Sequence, residues 1–244
     1  VVVGKASEIA SGLEKTKIPI FYFDKFGNPV KKVEEKKAAA NVTVKSVVDK
    51  YIAAVGGEKA LKAVKTLYSK STATIQGMPM ELTMIGTADG KMKVEMNGMG
   101  MTLMKQMVNE KGGYIEQQGQ RKPLEGDRLK AMRDQARPFP ELEFATKAGV
   151  TLLPIQSIEG KDAYGIKDGN KTYFYDVVTG LKVQSSDVEE VNGQPVSKSA
   201  NYNDYREVKG VKIPFKVVMN VGFDIELNVS EVKVNEGVSD ADFQ

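Results

Sequence analysis

Neither histidine nor cysteine occurs anywhere in the 244 residues. Without cysteine there is no disulfide framework, no thiol nucleophile and no thiolate-held zinc. Without histidine the commonest general base and the commonest transition-metal ligand are gone, along with every Ser-His or Cys-His arrangement. Zinc signatures of the His-Glu-x-x-His kind and its inverse cannot be written in this sequence. Hydrolysis by a familiar route is not expected, and no catalytic residue is assigned. Long apolar runs are missing as well, so no transmembrane segment is expected. Charge is nearly balanced, with 35 Lys and Arg against 32 Asp and Glu. Such a balance argues neither for nor against nucleic acid. No arginine stripe with interleaved aromatics points that way either, so no nucleic-acid partner is expected. The chain opens Val1-Val2-Val3-Gly4-Lys5 with neither an initiator Met nor a signal peptide, which leaves the compartment open.

What is present is globular: 41% of residues are apolar and 27% charged. The length suits one large β domain or two modest ones. Methionine is the oddity. Nine of the eleven fall between Met78 and Met107. Runs such as Met78-x-Met80-x-Leu82-x-Met84 and Met99-x-Met101-x-Leu103 place them on one face of extended strands, because strand side chains alternate. Met is flexible and polarizable, so such a face adapts to irregular apolar shapes. One reading is an ordinary core with unusual filling. The other is a deformable apolar groove for acyl chains or apolar peptide segments, lined by Met80, Met84, Met92, Met96, Met101 and Leu103. A thioether-only site would suit a soft ion such as Cu(I). However, alternation with Leu and Val reads as core, and no metal or cofactor is assigned.

Taken in order, residues 1–30 read as strand, helix, strand: Val1–Val3, a helix over Ala6–Lys15, and Ile18–Phe23 before a turn at Asp24–Pro29. The unit is too small to bury a core alone. Its sequence, VVVGKASEIASGLEKTKIPIFYFDKFGNPV, resembles the last βαβ segment of pitrilysin/insulinase-type zinc peptidases. The resemblance implies a C-terminal remnant of a longer protease polypeptide, itself a zinc metallopeptidase. None of that family's zinc motif lies here. Residues 31–41, KKVEEKKAAA and the residue after it, read as a linker at a domain boundary. The remaining 42–244 form the main domain.

Val42–Val64 has helical periodicity, with Val44, Val47, Val48, Tyr51, Ile52 and Val55 on one stripe, Thr43 as N-cap, and a break at Gly56-Gly57. From Leu67 the pattern is strand and hairpin, with turns expected at Gly77, Asp89-Gly90, Asn97-Gly98 and Lys111-Gly112. Pro123–Arg137 is expected to be a helix and is the most basic region. Its cations read as a solvated face rather than a lid. Phe139–Leu142 reads as a connector. Further strands follow from Val150 to Val234, with Pro154, Pro195 and Pro214 marking edges or bulges. The tail Asn235–Gln244 is expected to be peripheral. The fold class is therefore mainly β (α+β): a curved antiparallel half-barrel sheet with helices over its concave face, preceded by the small βαβ remnant.

A second resemblance spans about 200 residues. The Gly56-Gly57 helix, Tyr173-Phe174-Tyr175-Asp176 with Thr179-Gly180-Leu181, and Tyr202-Asn203-Asp204-Tyr205-Arg206 followed by Gly210-Val211-Lys212-Ile213-Pro214 are similar to the outer-membrane lipoprotein-sorting (LolA/LolB-type) superfamily. That family implies a half-barrel whose apolar groove shields acyl chains. It also implies a periplasmic or outer-membrane-associated location in a Gram-negative bacterium. The expectation is a non-catalytic domain binding a lipid acyl chain or apolar peptide, accessory to an upstream protease. The rival expectation is a structural or interaction module with a filled core. Three smaller features carry less. Glu189-Glu190 and Asp204 are available carboxylates but read as solvated. Met96–Gly100 reads as a hairpin rather than a phosphate loop. Tyr173, Tyr175, Tyr202 and Tyr205 read as cross-strand pairs rather than a pocket rim.

Overall fold

The computed structural model describes residues 12–13, 15–23, 29–30, 38–191 and 194–244. The expected strand Val1–Val3, most of the helix over Ala6–Lys15 and most of the linker lie outside the described residues. Two short strands, β1 (Tyr22–Phe23) and β2 (Pro29–Val30), pair antiparallel in a sheet of their own.

The strands between Thr66 and Val234 form a single sheet of thirteen, every neighbouring pair antiparallel. One meander runs through β3 (Thr66–Ile75), β4 (Met78–Thr87), β5 (Met92–Gly98), β6 (Met101–Asn109), β7 (Gly112–Gln117) and β8 (Gln120–Leu124). The second runs through β9 (Thr151–Ile158), β10 (Lys161–Asp168), β11 (Lys171–Asp176), β12 (Lys182–Val191), β13 (Gln194–Val208), β14 (Val211–Asn220) and β15 (Asp224–Val234). Pairing of β15 with β3 joins them, leaving β8 and β9 as free edges of an open, curled sheet. Both edges discourage further pairing. β8 is short and carries Arg121, Lys122 and Pro123, while β9 has Pro154 beside a bulge.

Among the described residues, four α-helices accompany the sheet. α1 (Val44–Ala54) and α2 (Glu58–Ala63) precede β3, and α3 (Gly126–Ala136) and α4 (Glu141–Phe144) lie in the chain between the two edges. α1 starts where expected: the Thr43 side chain accepts from the Ser46 amide and Ser46 answers with the Thr43 amide, a reciprocal capping box. Its stripe of Val47, Val48, Tyr51 and Val55 is buried with Leu61 of α2 and Phe144 of α4 against Ile166, Tyr175, Val211, Ile213 and Val234 of the sheet. α3 packs Ala136, Leu129 and Met132 over Met92, Val108 and Leu124.

The ladder register assigns the faces. Met80, Leu82, Met84 and Gly86 of β4 stand directly opposite Gly98, Met96, Val94 and Met92 of β5. Gly86 is also where Ala136 of α3 rests: a side chain there would run into the Ala136 carbonyl. These residues therefore share the helix-bearing, concave face. The opposite face carries cross-strand ion pairs, Lys70–Glu81 and Lys216–Glu226, each at 2.8 Å, and beside them a small apolar cluster of Ile85, Met107 and Tyr68. Exposed pairs of this kind contribute little stability, but they keep that face in water.

Five expectations need correction. The β6–β7 turn is Glu110-Lys111, not Lys111-Gly112, because Gly112 already pairs with Asn109 in the ladder. The β5–β6 turn is Met99-Gly100, not Asn97-Gly98, because Met99 and Gly100 take the left-handed φ values (51° and 75°) that a tight hairpin requires. Residues 120–124 form strand β8, and the following helix begins at Gly126 rather than Pro123. Pro123 sits comfortably in an edge strand, where a missing amide costs least. The connector at Phe139–Leu142 contains the start of α4. Finally, the C-terminal tail is anchored: Phe243, 5% exposed, packs on Ile85 and Met107 on the ion-paired side of the sheet.

Candidate functional site

The helices cover only one end of the concave face. At that end lie the turns Asp89-Gly90, Thr179-Gly180 and Lys209-Gly210. α1 and its C-terminal glycines press against Gly180 and Gly210, and α3 presses against Gly90. The Lys212 amide donates to the Val55 carbonyl at 2.8 Å, and Lys50 Nζ to the Val177 carbonyl at 2.6 Å. The other end, where β3–β4, β5–β6 and β14–β15 turn, has no helix in those contacts. Apolar side chains there reach solvent, with Met101 58% exposed, Met99 66% and Phe223 51%, and the exposure extends along β4 to Met84, 43% exposed two residues from Gly86.

Five of the six residues singled out in the sequence share this concave face by register, and contacts over Gly98 add the sixth. Met80 faces Gly98, which in turn faces Met101; Leu82 faces Met96, which faces Met104. A bulge in β6 between these two rows leaves Leu103 without a partner in the register. It turns Leu103 to the concave side, where its Cδ1 would lie 3.0 Å from a Cβ on Gly98. The Met80 sulfur fills the same notch, 2.5 Å from that position. Met92 stands apart, buried at 5% under α3, where it is core. The band continues across the sheet through Ala73, Leu227, Val217 and Tyr202, the last three in one register row.

A polar node that sequence reasoning passed over sits farther along the same face. Glu141 of α4 is fully buried, and its Oε1 accepts from Lys182 Nζ at 2.7 Å and from the Tyr175 hydroxyl at 3.2 Å. Its Oε2 has no partner. The Lys182 ammonium stands 5.4–5.6 Å from the ring centres of Tyr51, Tyr173 and Tyr202, within cation–π range. Tyr202 bonds Ser185 Oγ at 2.8 Å, and Tyr205 donates to the Lys182 carbonyl at 2.7 Å. Burial first, and then the Glu141 charge, push the hydroxyls of Tyr51, Tyr173 and Tyr175 well up, so they remain protonated donors. Burial pulls Lys182 down, but Glu141, Tyr202 and the hydrogen bond together carry it above its ordinary value. The tyrosines thus surround an ion pair rather than only pairing across strands. The density of tyrosine at 173–175 and 202–205 was the available signal; Glu141 in a short helix gave none.

No alternative chemistry assembles. Asp204 takes a left-handed φ of 53° within β13 and is held by Arg206 at 2.6 Å; that hydrogen bond keeps its carboxyl below the usual range. The side chains of Glu189 and Glu190 lie outside the described residues. Among the described residues, no three acidic side chains are placed to hold a metal ion. No helix among them is long and apolar enough to cross a membrane. A cleft of about 620 Å³ opens between Thr87–Lys91 and Ser239–Phe243, where Lys91 meets Asp240 at 2.9 Å and Glu110 at 3.2 Å. It includes none of the methionines. The basic segment after Gln120 is partly engaged by the protein itself: Arg121 binds Glu116, Arg133 the carbonyls of Asn109 and Glu110, and Arg137 Glu143.

No protein-family model matches the chain, and no curated protein matches it in sequence. Solved structures do match its fold. A DUF1329 family protein from Desulfovibrio piger superposes with a TM-score of 0.53 at 12% identity, covering 83% of this chain and 97% of that one. A putative outer membrane lipoprotein-sorting protein domain from Vibrio parahaemolyticus gives 0.51 at 12%, covering 82% and 95%. A LolA superfamily protein from Nitrosomonas europaea gives 0.51 at 12%, covering 83% and 98%. The chain has the LolA-like fold. Nothing in these likenesses supports a protease segment ahead of it.

Proposed function

We propose that the uncovered end of the concave face binds an apolar ligand, a lipid acyl chain or an apolar peptide segment, without catalysis. One observation carries this reading. The register aligns Met80, Leu82, Met84, Val94, Met96 and Met104 on the helix-bearing face, yet Met84 remains 43% exposed. A face meant only as core would be covered there, as the same face is under α3. The opposite, ion-paired face would have to stay in water whatever the ligand. Two of the fold neighbours are named for lipoprotein sorting or the LolA superfamily, and this favours an acyl ligand and a periplasmic or outer-membrane-associated setting. Service to an upstream zinc peptidase rests on the residues 1–30 resemblance alone.

The energetics set the scale of the experiment. Removing a methylene from water is worth about 0.8 kcal/mol. An acyl chain burying about eight of them gains roughly 6 kcal/mol, which corresponds to binding at tens of micromolar. The test is native mass spectrometry of the gently extracted chain with lipid identification, followed by titration with a fluorescent fatty-acid probe. A co-purifying acyl species, lost on Met84→Asp or Met101→Asp in a still-folded protein, is the expected result. A clean apo mass and no probe uptake up to high micromolar would make the face packing and the domain an interaction module. Unfolding by these substitutions before any loss of ligand would likewise make the face packing.

A further inference from the structure

The acyl-ligand reading explains why the face is apolar but not why it is built of thioethers, since leucine would serve as well. The objection to a soft-metal site, that these methionines alternate like core positions, does not hold at Met101, which is open to solvent. Gly98 is the centre of the matter. Met80 lies directly across the ladder on one side and Met101 on the other. Gly98 itself, having no side chain, leaves a notch that the Met80 sulfur already occupies. Two strand spacings separate the backbones of Met80 and Met101 by about 10 Å; the Met80 side chain leans over the glycine between them, and Met101 stands across the ladder with its side chain 58% exposed. Met96, two residues before Gly98 on β5, projects onto the same face from the next row. Met80 is 9% exposed while Met101 is 58% exposed, so one ligand is seated and another is free to close.

We propose that the thioethers of Met80, Met96 and Met101 around Gly98 form a binding site for a soft monovalent cation of the Cu(I) type. The donor set selects the ion. Thioether sulfur prefers Cu(I), whereas Zn(II) and Cu(II) need imidazole, thiolate or carboxylate. The nearby carboxylate is turned away: Glu95 pairs with Lys105 in the register of the opposite face and binds Lys93 at 3.5 Å. Histidine and cysteine are absent from the whole chain, so no stronger soft ligand competes. A thioether carries no proton to displace, so affinity is flat with pH, unlike that of sites built from imidazole, thiolate or carboxylate. Three neutral donors leave the ion its charge, which the open end of the face keeps close to water.

Replacement of Met by Leu separates this site from the acyl-chain reading, because it keeps volume and apolarity and removes only sulfur. The full chain is titrated anaerobically with Cu(I) against a chromogenic Cu(I) chelator, and with Ag(I) while the methionine methyl resonances are followed. One ion per chain is expected, with the Met80, Met96 and Met101 methyls shifting most and the same affinity at pH 5.5 and 8. Met101→Leu, at a side chain too exposed to affect folding, is expected to weaken binding by about tenfold or more, the loss that even an outer-shell change inflicts on a metal site. The triple Leu variant is expected to abolish Cu(I) and Ag(I) binding while its circular-dichroism spectrum remains that of the folded protein, since Met-to-Leu replacement conserves volume and apolarity. Shifts spread evenly over all the methionines, an affinity that climbs with pH, or undiminished binding by the Met101→Leu variant would each overturn the proposal. Failure of probe uptake with intact Cu(I) binding would sink the acyl reading alone.

Discussion

The Glu141–Lys182 pair makes an asymmetric prediction. Glu141 is fully buried, with one oxygen unpaired and the other held by Lys182 and Tyr175. Lys182 keeps 15% of its side chain exposed and so has a path to water. Lys182→Met removes the cation and strands the carboxylate in the core. Breaking a buried pair in this way costs about 3–5 kcal/mol. Glu141→Gln instead leaves a neutral amide that still accepts from Tyr175, and Lys182 can turn its ammonium outward; about 1–2 kcal/mol is expected, the loss of one charged hydrogen bond. Replacing both, Glu141→Gln with Lys182→Met, removes the stranded charge and should cost less than Lys182→Met alone. Urea unfolding at pH 7 reads all three. At about 2–3 kcal/mol per molar urea, Lys182→Met should lower the midpoint by roughly 1.5 M. If Lys182→Met costs under about 1 kcal/mol, or Glu141→Gln costs more than Lys182→Met, then the buried charge is not what holds α4 to the sheet.

Other perturbations test other parts of the fold. Gly86→Ala drives a methyl into the Ala136 carbonyl, so α3 must lift. We expect a loss of about 1–3 kcal/mol, with hydrogen exchange accelerating in α3 and not in α1. Phe243→Ala, which empties the contact with Ile85 and Met107, should cost about 3 kcal/mol or slightly more by thermal or urea unfolding; a neutral result would make the tail an ornament. The pH profile has a sign at each end. Lys182 has a raised value in the folded chain, so its contribution is full below the ordinary lysine range and is lost as pH rises through the higher folded value. Asp176 opposes burial with bonds from the Thr179 and Val178 amides and the Thr179 hydroxyl, which hold it below its ordinary value. Its contribution is full above the ordinary carboxylate range and disappears as pH falls through the lower folded value. Asp176→Ala should remove that acid-side loss, measured as the difference in urea midpoint between pH 6 and pH 3.

Most of the architecture was legible because it is written in local chemistry. The Thr43 cap, the alternation of β4 through β6, and the Asp89-Gly90 turn each act over a few residues, and each reappears where expected. The errors lie where local signals compete. Asn97-Gly98 reads as a tight turn, but two positions later Met99-Gly100 also satisfies the hairpin, and placing the turn there keeps Gly98 in the ladder opposite Met80. Pro123 looks like a helix start until an edge strand offers a place where its missing amide costs nothing. Glu141 in α4 left no trace in sequence, because its role depends on Lys182, which lies 41 residues along the chain.

The alignment of the methionines on one face was legible too, but the answer to core or groove was not, since periodicity fixes a face and says nothing of what lies over it. The same row pattern gives both outcomes here. At Met92 the face meets Ala136 and Leu124 and is closed; eight residues earlier in the chain, on the adjacent strand, Met84 meets solvent. What divides them is the placement of α3, whose Ala136 carbonyl rests on Gly86, a residue with no side chain to stand in its way, two residues from Met84 on the same face. The extent of the open groove is thus a consequence of where glycine interrupts methionine. Met84→Gly should let α3 or a solvent-ordered loop approach the sheet and shrink apolar exposure. Met84→Phe, which enlarges the exposed apolar area, should raise fatty-acid probe uptake by about threefold or more if the face is a binding surface, and leave it at background if it is not.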